Sequence, residues 1–119
     1  MNIESYRDYC LAKPGTTEHL PFDENTLVFK VMDKMFALAN MLNFTSINLK
    51  CDPEWAVELR ENHTAIKPGF HMSKKHWNTV VLDGSLSDKF IHELIDHSYD
   101  QVVKGLTKKK QQELLSLSR

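Results

Sequence analysis

The residues of this chain whose types could do chemistry crowd into one stretch, Pro68 to Gly84, which reads PGFHMSKKHWNTVVLDG. Lys74 and Lys75 stand beside His71, His76 and Trp77, and Asn78 adds an amide that both donates and accepts hydrogen bonds. Ammonium groups hold phosphates while an indole packs against sugar or base, so this mixture suits a nucleic-acid surface. Lys50, on the outward side of an expected strand, is placed to join it. A plainer reading runs alongside. Two lysines in a turn are commonplace, and a tryptophan more often anchors the core of a small domain than meets a partner.

Other chemistries fit the sequence less well. His71 and His76 are five residues apart, as are His92 and His97. Metal ligands on one helical face stand three or four apart, and a separation of five turns the second imidazole away by roughly 140°. The histidines therefore read as surface or loop residues, and no metal site is expected. Cys51 falls on the core side of its strand, and no GxSxG elbow surrounds any serine. The four glycines, at 15, 69, 84 and 105, each fit a turn or a cap and form no phosphate-binding loop. The expectation is a protein that is not an enzyme and carries no cofactor.

The elements that must position these residues follow from pattern. Asn2 can cap a helix whose apolar face is Ile3, Tyr6, Cys10 and Leu11, and Pro14-Gly15 ends it. Residues 14 to 25, including His19 and Asp23, read as a surface loop. Leu27 to Met32 and Met35 to Ala39 are apolar runs joined through Asp33-Lys34, which suits a two-residue hairpin. Ile47, Leu49 and Cys51 alternate with Ser46, Asn48 and Lys50, as in a strand with one face on the core. Asp52-Pro53-Glu54 starts a helix through about Glu61. Pro68-Gly69 turns the chain, Trp77 to Leu82 is a further strand, and Asp83-Gly84 turns it again. Phe90, Ile91, Leu94, Ile95, Tyr99, Val102 and Val103 form the apolar stripe of a long helix that Ser85 or Ser87 could cap and Gly105 ends. Thr107 can cap a final helix with Leu114, Leu115 and Leu117.

At 119 residues the chain is expected to be a single domain spanning 1–119. Apolar residues make up 41% and charged residues 26%, and no apolar run approaches the ~20 residues of a membrane helix. The start, MNIESYRDYC, lacks the basic and then apolar pattern of a signal peptide, so a cytoplasmic protein without a membrane partner is expected. Two cysteines without CxxC spacing imply neither a disulfide framework nor a zinc knuckle. Net charge is −1, which removes a global positive excess as an argument for nucleic acid. The distribution is uneven: residues 65 to 119 carry nine Lys/Arg against six Asp/Glu, whereas residues 1 to 64 carry six against ten.

HMSKKHWNTVVLDG resembles the signature of the MmcQ/YjbR family, whose usual form is close to HMNKxHWNTVxLDG. The resemblance extends through Leu20-Pro21-Phe22, Val28-Phe29-Lys30-Val31, Met35-Phe36-Ala37, Leu49-Lys50-Cys51-Asp52-Pro53 and Asp96-x-Ser98-Tyr99. Asp23 stands where the family commonly has glycine, and Ser73 where it has asparagine. The resemblance implies a compact α+β domain similar to frataxin-like and double-wing folds, an antiparallel sheet flanked by N- and C-terminal helices. It also implies DNA binding. Iron handling of the frataxin kind is not implied, because the first helix offers only Glu4 and Asp8. The reading is thus a monomeric, non-enzymatic binding protein with DNA as partner, contacted by Lys50, His71, Lys74, Lys75, His76, Trp77 and Asn78. The alternative is an adaptor domain binding another protein, and after it a small-molecule or metal site at His71 and His76.

Overall fold

The computed structural model describes residues 1–117 as an α+β domain. In chain order it contains α1 (Ile3–Leu11), β1 (Thr16–His19), β2 (Thr26–Val31), β3 (Lys34–Asn40), β4 (Ser46–Lys50), α2 (Pro53–Asn62), β5 (Ile66–Pro68), β6 (Trp77–Val81), α3 (Asp88–Lys104) and α4 (Lys108–Leu117). The strands form one antiparallel sheet in the order β1-β2-β3-β4-β6-β5. Among the described residues no helix is long and apolar enough to cross a membrane.

Helix starts are local events, and short polar side chains set them by accepting from amides that lack an intrahelical partner. Asn2 accepts from the Ser5 amide at 2.8 Å while its own amide donates to the Ser5 hydroxyl at 3.1 Å, a closed capping box on α1. Asp52 caps α2 ahead of Pro53, and Thr107 accepts from the Lys110 amide at the start of α4. Of the two serines before α3, Ser87 is the cap.

The apolar faces of the helices close over one side of the sheet. Tyr6, Phe29, Phe36, Ile47 and Ile95 are fully buried there, with Phe29 edge-on to Tyr6 at 5.5 Å and Phe36 edge-on to Tyr99 at 5.4 Å. The β2–β3 turn is Met32-Asp33, both with positive φ (49° and 69°), and Lys34 already pairs with Val31. The expected turn is therefore shifted by one residue, because a two-residue hairpin whose twist matches its strands needs two left-handed residues between the paired ends.

Strand β1 and the short β5 lie where loop or turn is expected from sequence. Both are edge strands, β1 of polar, mostly half-buried residues and β5 only three residues long, so neither shows an apolar alternation. The ladder between β2 and β3 also slips: Phe29 pairs with Ala37 and Lys30 with Met35, leaving Phe36 as an extra residue. This bulge turns Phe36 and Ala37 toward the same core.

Candidate functional site

With the helices packed on one side, the other, open side of the sheet is left to the loops, although Val28, Leu38, Thr79 and Trp77 at its centre are buried. Side chains alternate along a strand, so those beside core residues Leu27, Phe29, Ile47 and Leu49 point outward. The pairing register then runs one row across all six strands on the open face: His19, Val28, Leu38, Asn48, Thr79 and Lys67. A flanking row holds Thr17, Lys30, Lys50 and Trp77. Among the described strand positions of this face there are three lysines and no carboxylate. The helices carry charges of both signs, with Glu4, Asp8, Glu54, Glu58, Glu61, Glu93 and Asp100 beside Arg7, Arg60, Lys89, Lys104 and Lys108 to Lys110. The strands of the open face are thus positive, while the 20–25 loop at their border carries Asp23 and Glu24.

Two loops fold over the open face. Residues 20–25 leave the sheet where β1 ends, and residues 69–76 leave it at the opposite end, between β5 and β6. The second loop bends back onto the sheet, because the Phe70 amide donates to the Thr79 hydroxyl at 2.9 Å and that hydroxyl donates to Asn48 Oδ1 at 2.6 Å. Between the loops lies a cleft of about 490 Å³, within the range of roughly 300–1,000 Å³ usual for ligand sites. Phe22, Phe70, Met72, Leu38 and Ala39 supply its apolar lining; Thr26, Asn40, Ser46, Asn48 and His71 supply the polar part.

The loops are held by local chemistry. Asp23 accepts from the Asn25 and Thr26 amides at 2.8 and 2.7 Å and from the Thr26 hydroxyl, and these bonds hold its carboxyl below the usual range. Gly69 packs so closely on β6 that a Cβ there would sit 2.8 Å from Trp77 Cβ. His71 adopts a left-handed backbone (φ 59°), an uncommon state for a residue with a side chain and one often found at binding sites. Its ring lies 4.0 Å from that of Phe70.

The residues singled out in the sequence do not form one patch. His71 lines the cleft, while Lys50 and Trp77 line a separate hollow of about 270 Å³ with Lys34 and the end of α3. Lys75 and His76 are exposed on the loop, as is Lys74, whose ammonium donates to the Gly69 carbonyl at 3.0 Å and so helps hold the loop's shape. Trp77 is only 8% exposed, in a small cluster with Val28, Leu38, Met35 and Met72. Asn78 is buried on the helical side, its amide donating to the Ala56 carbonyl. The accessible part of the expected contact set is therefore Lys50, His71, Lys74, Lys75 and His76. Sequence reasoning missed Phe22, Phe70, Asn48 and Lys67; an exposed aromatic in each polar loop was the available signal.

His92 and His97 serve packing. His92 stacks on Tyr9 at 3.9 Å, and His97 meets the Trp55 ring edge-on while its Nε2 accepts from the Asp52 amide at 3.0 Å. Among the described residues no three His, Cys, Asp or Glu side chains gather as metal ligands. Burial pushes both thiols, Cys10 and Cys51, up to about 12. Burial also lowers the His97 pKa, against the opposing pull of Asp52 and Asp100. The folded protein then binds fewer protons than the unfolded chain below the ordinary imidazole value of about 6.5, so this group's contribution to stability is lost as pH falls through that value toward the folded one. His97→Gln is expected to flatten the fall in urea midpoint between about pH 7 and about pH 5. An unchanged pH profile would show that His97 is not the group responsible.

A family model described as YjbR matches residues 11–101. The chain is 40% identical over 118 residues to the protein YjbR of Escherichia coli K12, covering 98% of this chain and all of that one. It is 39% identical over 92 residues to YbdF of Escherichia coli O157:H7, covering 76% and 75% of the two chains. Among solved structures, a Deinococcus radiodurans protein with a DUF419 domain superposes with a TM-score of 0.88 at 42% identity, covering 95% of this chain and 87% of that one. A Pseudomonas syringae protein superposes with a TM-score of 0.69 at 34% identity, covering 82% and 96%.

Proposed function

The chain belongs to the YjbR family, and from that footing we propose that it is a non-enzymatic nucleic-acid-binding module that meets the phosphate backbone with the open face of its sheet. The observation that carries this reading is the set of lysines on the strands of that face. Lys30, Lys50 and Lys67 stand on that face with no carboxylate on the strands between them, and Lys75 extends the positive rim onto the loop. A net charge of −1 does not oppose local attraction, because screening confines each charge to about 8–10 Å at moderate salt. DNA is the polyanion to test first.

Binding of a labelled DNA oligomer, followed by fluorescence anisotropy across salt concentrations, tests the reading. Affinity should fall steeply with salt, and the double variant Lys67→Ala/Lys75→Ala should flatten that dependence by about two counterions. Lys74 is left in place because it supports the loop. Absence of binding at micromolar protein, or affinity indifferent to salt, would remove the proposal.

A second reading, docking of another polypeptide, draws on exposed apolar side chains at the same loops: Leu20 is 49%, Phe22 64% and Phe70 66% exposed. A partner that stays bound to the immobilised protein after nuclease treatment would favour it.

A further inference from the structure

We infer that the cleft between the two loops takes an unpaired nucleobase, so that the protein selects single-stranded nucleic acid over duplex. The inference rests on the open-face reading but uses different atoms. The lining of the cleft contains no lysine, arginine or carboxylate; Lys67 and Lys75 belong to the strand and loop on its Phe70 side, while Asp23 and Glu24 belong to the loop that carries Phe22. A neutral pocket with lysines along one border matches a ligand that joins an uncharged group to an anionic backbone, which is the chemistry of a nucleotide strand.

The lining also matches the base. Phe22 and Phe70 are both more than half exposed and both border the cleft, and an aromatic ring at such a border is a surface on which a base can stack. Asn48 has committed its side-chain oxygen to the Thr79 hydroxyl, which leaves its NH2 group as a donor toward the cleft, beside the Ser46 hydroxyl. A base in a duplex keeps its faces stacked on its neighbours and its pairing edge occupied. It can reach this recessed, aromatic-bordered floor only after leaving the stack. The site is also formed in advance, since the Phe70 amide is tied to Thr79 and Gly69 is packed on Trp77.

The test compares three labelled probes of equal length at one salt concentration: a single-stranded DNA oligomer, its duplex, and an abasic single strand with the same phosphates. The expected result is single-strand affinity about tenfold or more above that of both other probes. Phe70→Ala, at an exposed position that the fold does not need, should lose about tenfold in single-strand affinity with the salt dependence unchanged, and Phe70→Trp should restore it. Equal affinity for the single strand and its abasic counterpart, or for duplex and single strand, overturns the base pocket while the open-face reading stands. Failure of all three probes overturns that reading and this inference with it.

Discussion

Replacing Ser98 with alanine is expected to destabilise the fold by on the order of 3 kcal/mol, although the change removes one oxygen atom. Ser98 is fully buried on α3, and its hydroxyl accepts from the Lys50 amide at 2.8 Å while donating to the Phe36 carbonyl at 2.5 Å. The register that pairs Ala37 with Leu49 would set Phe36 opposite Lys50, but the bulge at Phe36 ends the ladder before that rung. The serine hydroxyl replaces it. Without it, a part-buried N–H and a buried C=O both lose this partner, each at a cost of up to roughly 1–3 kcal/mol. Urea denaturation should show a lower midpoint with an unchanged slope. A midpoint equal to that of the parent would mean that the two backbone groups find other partners without cost.

Gly69→Val should be the most damaging single change to the site. Gly69 is not in the left-handed region, so its requirement is for space: an added Cβ would lie 2.8 Å from Trp77 Cβ and 2.9 Å from the Trp77 carbonyl oxygen. Backbone cannot yield as a flexible side chain would, so the loop must lift from β6. That movement breaks the Gly69–Trp77 backbone bond of 2.9 Å and the Phe70–Thr79 bond, and it carries Phe70, His71 and Met72 away from the cleft. A stability loss of about 2 kcal/mol is expected, in the range of overpacking mutations. Tryptophan emission should shift to the red as Met72 uncovers Trp77. Unchanged emission together with unchanged stability would show that the loop accommodates the side chain in place.

How far the sequence reveals this protein depends on the range of each interaction. The caps Asn2, Asp52 and Thr107 mark their helices because a cap involves residues within one turn. The stripe of α3 and the alternation of β4 are equally plain, since each faces a single apolar layer. Strand β1 is hidden because an edge strand needs no apolar pattern. Asn78 and Trp77 look alike as neighbours in a polar, aromatic signature. Pleating sends one to the helical side and the other to the open side, and both are buried.

By itself the sequence determined the family, the α+β composition and the helix starts. Each of these rests on neighbours in the chain or on a motif that can be read residue by residue. Only the tertiary structure decided which residues share the open face and the candidate cleft. Sheet register places Lys30, Lys50 and Lys67 on one face, from strands distant in the chain, and the packing of the helices leaves that face open. The return of the 69–76 loop sets Phe70 over a floor opposite Phe22, 48 residues away in the sequence. Such a pocket has no local signature, because its members meet only through the pairing of strands between them.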